Sequence, residues 1–134
     1  MASFVPANGN WQYKRIPTKA NTVYTAGALY YNDGTDNLDA VTTAEELYGI
    51  IIEGKASAAN TNPITVAVPT SPQCEFYGTV GTGTLTAAMI GRYVDLASST
   101  TVDVTASTED ALEVCGFISA TEGLFKINYS KGKE

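Results

Sequence analysis

Twice along this chain a glycine opens a short strand, a turn follows, and a second strand begins at the same distance. Gly27-Ala28-Leu29-Tyr30-Tyr31 leads through a polar turn to Leu38-Asp39-Ala40-Val41-Thr42, and Gly91-Arg92-Tyr93-Val94-Asp95 leads through another to Val102-Asp103-Val104-Thr105. The interval is 11 positions in both halves (38 − 27 and 102 − 91). An acidic turn, Thr43-Ala44-Glu45-Glu46 or Ser107-Thr108-Glu109-Asp110, then precedes a glycine-led apolar run, Gly49-Ile50-Ile51-Ile52 or Gly116-Phe117-Ile118. Here the intervals are 11 (49 − 38) and 14 (116 − 102), which reads as three extra residues in the second half. A chain written this way is confined to short β elements. Two explanations fit the likeness: an internal repeat with halves 21–68 and 84–129, or the common look of short strands joined by Thr, Ala and Gly turns.

The rest of the chain agrees with an all-β reading. At 134 residues it suits one domain with a modest core. Charged residues are scarce at 16%, while twelve glycines and eight tyrosines favour strands and tight turns. Ile64-Thr65-Val66-Ala67-Val68 alternates before Pro69, and Leu124-Phe125-Lys126-Ile127-Asn128-Tyr129 does the same near the end. The run Gly49 to Ile52 is too apolar for a half-exposed strand and predicts a central one, buried on both faces. Both acidic turns match a capping-box spacing, and Thr86 to Ile90 suits either a short helix or the lead-in to a strand, so one or two helical turns are expected at most. The predicted fold is a small β-barrel or β-sandwich (tulip-like) domain over residues 21–134. Residues 1–20 lack periodicity, carry Pro6, Pro17 and Gly9, and read as an extended N-terminal arm outside the core. Trp11 on that arm either folds back on its own domain or inserts into a neighbour, where tryptophan is a favoured anchor.

The inventory of reactive groups excludes most chemistry. Without histidine there is no Ser-His-Asp or Cys-His set and no histidine-ligated zinc. Gly78-Thr79-Val80-Gly81-Thr82-Gly83-Thr84 lacks the lysine of a phosphate loop and the helix of a dinucleotide fingerprint, and reads as a hairpin turn. Asp33, Asp36 and Asp39 do not have EF-hand spacing and read as a solvated turn, not a calcium site. Cys74 and Cys115 stand 41 positions apart (115 − 74) and suit two buried thiols in a reducing compartment better than a disulfide. A net charge of −6 argues against nucleic acid, and no apolar run is long enough to span a bilayer. No secretory signal is legible in the first ten residues, so Asn128-Tyr129-Ser130 carries no meaning as a glycosylation sequon. The expectation is a protein made in a cytoplasm, with no enzyme activity, no cofactor and no metal.

The glycine-led strand, short turn, acidic turn and Gly-apolar-apolar run, from Thr25 to Ile51 and from Gly91 to Ile118, resemble the small head decoration (cement) proteins of tailed bacteriophages, lambda-type in style. The resemblance covers most of residues 21–129. It implies a virion structural protein on the capsid exterior, bound to the major capsid protein as a homotrimer, which stabilises the assembled lattice. It also implies an N-terminal arm that orders on the capsid, with Phe4, Trp11, Tyr13, Lys14 and Arg15 as candidate contacts. The alternative is a receptor- or glycan-binding β-module, such as a head-fibre base or a tail-associated domain, with its tyrosines and Trp11 stacking on sugars.

Overall fold

Gly27 and Gly91 occupy the same place in two matching turns. The computed structural model describes residues 4–32, 38–40 and 48–128. In it Gly27 has φ +87° and Gly91 φ +93°, a region open to glycine and closed to most side chains. Ala28 N–H donates to Thr25 O at 3.1 Å, and Arg92 N–H donates to Met89 O at 2.9 Å. Each is a four-residue turn with glycine third, and Ile90 at φ −56°, ψ 129° gives the second turn the type II signature.

Each turn launches a strand whose pairing is also matched. The strands are β1 (Val5–Pro6), β2 (Trp11–Ile16), β3 (Leu29–Asn32), β4 (Leu38–Ala40), β5 (Gly49–Ile51), β6 (Ile64–Pro69), β7 (Phe76–Thr82), β8 (Tyr93–Ser98), β9 (Thr101–Asp103), β10 (Leu112–Ser119) and β11 (Glu122–Ile127). One sheet has the order β2-β6-β5-β3-β4, the other β1-β7-β11-β10-β8-β9. Adding five to each label of the first order reproduces the second from β7 onward. The register follows as well: Tyr31 pairs with Asp39, and Asp95 with Asp103, the same pair moved by 64 positions (95 − 31 and 103 − 39). The two sheets make a β-sandwich-like domain. One difference separates them: β7 and β9 also pair in parallel, so the last five strands form a closed ring.

The glycine-led runs match differently from the sequence expectation. Gly27 N–H donates to Ile51 O at 2.7 Å while Ile51 N–H donates to Ala28 O at 2.8 Å. In the second sheet Gly91 N–H donates to Val114 O at 2.8 Å and Val114 N–H to Arg92 O at 2.9 Å. Val114 is therefore the counterpart of Ile51, and the second half is one residue shorter here (114 − 91 = 23 against 51 − 27 = 24), not three longer. A β-bulge follows in both. The N–H groups of Ile52 and Glu53 both donate to Thr65 O (3.0 and 3.1 Å), and the register slips between Val114 and Gly116 opposite Leu124. Gly116 thus matches Glu53, and Phe117 and Ile118 lie beyond the matched run, 44% and 48% exposed.

The core forms where these alternating faces meet. Leu29 and Ile50 pack into a large cluster with Phe4, Phe76, Val80, Val94, Leu112, Val114 and Phe125. Their neighbours Tyr30 and Ile51 point the other way, into a second cluster with Tyr24, Ala28, Ile64 and Val66. Leu29 and Tyr30 of β3 and all of β5 are buried, with side chains on both faces, as the run from Gly49 predicts, and burial ends at Ile52.

Two further expectations are corrected. Residues 4–16 are not a free arm. Phe4 is 1% exposed with its ring edge-on to Phe76 at 5.4 Å, β1 pairs with β7, and β2 pairs with β6 along its full six residues. Periodicity is missing from β2 because only its ends, Trp11 and Ile16, are partly buried while the four residues between are exposed. The Ser107–Asp110 turn forms no helix. Its donors converge instead on buried Asp95, whose carboxylate accepts from Thr108 N (3.1 Å), Glu109 N (2.9 Å) and Asp110 N (2.9 Å). Helix is confined among the described residues to a single 3₁₀ turn, Ala87–Met89. The first acidic turn and Asp33 and Asp36 lie outside the described residues.

Candidate docking surface

Strand β2 ends its sheet, so one backbone edge of six residues carries no partner strand among the described residues. Its counterpart β7 has the corresponding edge covered. There Val5 pairs with Tyr77 and Pro6 with Phe76, and farther along Thr79, Val80 and Thr82 pair with β9. An open row of N–H and C=O groups is a template for an incoming strand. The first half leaves that template bare where the second half fills it.

The candidate contact residues divide on this strand. Phe4 is sealed in the core and cannot meet a partner. Trp11 folds back: its ring lies 6.3 Å from Phe76, edge-on, and its Nε1–H donates to Asn8 O at 3.1 Å. Tyr13 is 60% exposed, and Lys14 beside it is also exposed. Arg15 is held on the sheet surface, with Nη1 donating to Glu53 Oε1 (3.2 Å) and Thr65 Oγ1 (3.0 Å) and Nη2 to Pro63 O (2.9 Å). Glu53 is fixed in turn: the Thr65 N–H, and then the Arg15 charge, hold its carboxyl below the ordinary value. The side chains best placed for a partner along β2 are Tyr13 and Lys14, with Gln12 between Trp11 and Tyr13.

Other features offer less. A shallow cleft of about 160 Å³ lies between Met89, Arg92, Tyr93, Val94 and the segment Val104–Ser107. It is well below the roughly 300–1,000 Å³ of a typical small-molecule site. Among the described residues no three His, Cys, Asp or Glu side chains gather to hold a metal, and no helix is long and apolar enough to cross a membrane. Both cysteines are free thiols. Buried Cys74 donates to Asn10 O at 3.3 Å. Partial burial pushes the Cys115 thiol from 9.0 up to about 11, against the opposing pull of Lys126. Cys115 is therefore expected to resist alkylation at pH 8 and to react appreciably only as the pH nears 11, read by mass spectrometry of the intact chain. The unfolded thiol ionises first, so this group's effect on stability appears as a loss between about pH 9 and 11.

No family model matches the chain, and neither a curated protein nor a solved structure matches it. The class that the fold defines is a small all-β domain of two sheets with a shared strand order.

Proposed function

We propose that this protein is a capsid decoration protein, a virion component that docks on the outside of an icosahedral phage head and strengthens the assembled lattice. The observation that carries the reading is the bare β2 edge with exposed Tyr13 and Lys14, set in a fold whose second half covers the same edge. Strand addition from the major capsid protein satisfies that edge through main-chain hydrogen bonds, and Tyr13 supplies an aromatic contact of the kind interfaces favour. Because the lattice is the ligand, binding free energy becomes particle stability by mass action. No reaction, metal or cofactor enters this role. The sequence resemblance to phage cement proteins, with their trimeric attachment, supports the same reading.

A test acts on the strand without touching the core. The double variant Tyr13→Ala/Lys14→Glu is expected to keep the wild-type circular dichroism and melting curve while its affinity for capsids falls at least about tenfold, a loss of roughly 1.4 kcal/mol. Unchanged capsid affinity would remove β2 as the docking edge. The rival reading, a glycan-binding module, has one feature in its favour: Arg92 and Tyr93, 45% exposed, border the small cleft. Saturable binding of oligosaccharides that is lost in Tyr93→Ala, with no attachment to capsids, would put that reading first.

A further inference from the structure

We propose that Asn8 is a self-modification site. Its side-chain amide is displaced by the Gly9 nitrogen, assisted by two donors on the Asn8 carbonyl, and the product loosens the hold of β1 on β7. Asn8-Gly9 is the only Asn-Gly pair in the chain. Asparagine is thermolabile because the next backbone nitrogen can reach its Cγ, and a following glycine has no Cβ to obstruct that approach. Both residues are exposed in the turn between β1 and β2, with Gly9 at φ +94°. The Gly9 N–H makes no hydrogen bond among the described residues, so it is open to solvent base.

The surroundings of this peptide bond favour the reaction. When the Gly9 nitrogen gives up its proton to hydroxide, the negative charge is shared with the Asn8 carbonyl oxygen. That oxygen accepts from Glu75 N–H at 2.9 Å and from Trp11 Nε1–H at 3.1 Å, donors in place before the charge develops. The nitrogen then attacks Asn8 Cγ, the N–Cγ bond forms, and Nδ2 leaves as ammonia with a proton from water. Water opens the resulting succinimide at either carbonyl, giving aspartate or isoaspartate. In sum one water is taken up and one ammonia released. Other exposed asparagines are less suited: Asn10 precedes Trp11, Asn60 precedes Thr61, and Asn62 precedes Pro63, which has no N–H.

The product disturbs a clamp. Asn8 Nδ2 donates to Glu75 Oε1 at 2.7 Å, and the backbones are tied by Asn8 N–H to Glu75 O (3.1 Å) and Glu75 N–H to Asn8 O. An aspartate here replaces the donor with an oxygen and sets two carboxylates within hydrogen-bond distance of each other. Isoaspartate also lengthens the main chain between the N–H and C=O groups that hold Glu75. Lys126, one place beyond the Phe76–Phe125 pair, donates its Nζ to Gln73 Oε1 at 3.0 Å and makes no ion pair with Glu75 among the described residues. The inference stands apart from the decoration reading, because it concerns the chain alone.

The test holds the folded chain in mildly alkaline buffer made with oxygen-labelled water and follows it by peptide mapping with mass spectrometry. Asn8 is expected to convert ahead of Asn10, Asn60 and Asn62, taking up one labelled oxygen and yielding both aspartate and isoaspartate. Trp11→Phe keeps a ring beside Phe76 but removes the indole donor, and is expected to slow the conversion several-fold. Asn8→Asp is expected to lower the melting temperature by at least about 5 °C. The drop should be much smaller in a Glu75→Gln background, whose amide can donate to the new carboxylate. Should Trp11→Phe fail to fold, the order of conversion and the Asn8→Asp/Glu75→Gln pair decide. Asn8 keeping its amide as long as the other three overturns the proposal. So does a folded Trp11→Phe variant that converts as fast as the wild type, or a converted chain that melts like the fresh one.

Discussion

Ile51→Asp is expected to leave no cooperatively folded protein, whereas Phe117→Asp should express, fold and melt close to the wild type. Ile51 is fully buried in β5, between β6 and β3, and packs with Tyr24, Tyr30 and Val66. A carboxylate there has no cation among the residues of its cluster, and the cost of an unpaired buried charge is several kcal/mol. That is comparable with the whole stability of a domain this size, about 5–15 kcal/mol. Phe117 follows a glycine in the sequence just as Ile50 does, yet it is 44% exposed near the end of β10, and an aspartate at its position stays in water. Chemical denaturation with circular dichroism distinguishes the two variants. A soluble, cooperatively melting Ile51→Asp variant would mean that the first half does not bury its central strand.

Deleting residues 1–18 is expected to abolish folding, because this segment is built into both sheets. The deletion removes β1 from the second sheet, the whole of β2 from the first, and the Phe4 ring from the large cluster. Phe4 alone carries a large share: truncating a buried phenylalanine costs about 3–5 kcal/mol. Phe4→Ala should therefore lower the melting temperature by tens of degrees, on a scale of roughly 4–8 °C per kcal/mol for a domain of up to about 100 residues and somewhat less at 134. Thr18, fully buried with its Oγ1 donating to Asn62 O at 2.9 Å, would be lost as well. Retention of the full β signal and a cooperative melt after the deletion would show the segment to be dispensable for the fold.

What was legible in the sequence was the backbone logic, carried by residues whose conformational needs are strict. Gly27 and Gly91 mark matching turns because few other residues adopt their φ. Gly49 to Ile51 reads as a strand buried on both faces because it has no polar position to expose. The N-terminal strands were illegible for a physical reason. An edge strand needs apolar residues only where it touches the core, so Trp11 and Ile16 are too few to set a period, and Phe4 precedes a two-residue strand. The second half's bulge at Cys115 was hidden too, since its counterpart uses Ile52 and Glu53 and nothing in composition links the two sites. Pattern placed the match at Gly116 because glycine marks both runs, whereas hydrogen bonding places it at Val114. Of the candidate contacts, Tyr13 and Lys14 stand exposed on the bare edge and Arg15 is tied down by Glu53.

The proposed role as a decoration protein is tested most directly by co-sedimentation with capsids, comparing mature, expanded particles with unexpanded precursor shells. The expected result is saturable binding to mature particles and none to precursors, with decorated particles surviving heat or osmotic shock that disrupts undecorated ones. Binding should also be unaffected by a chelator and flat between about pH 6 and 8, since the chain has no histidine to titrate there. Failure to bind mature capsids, or equal particle survival with and without bound protein, would contradict it.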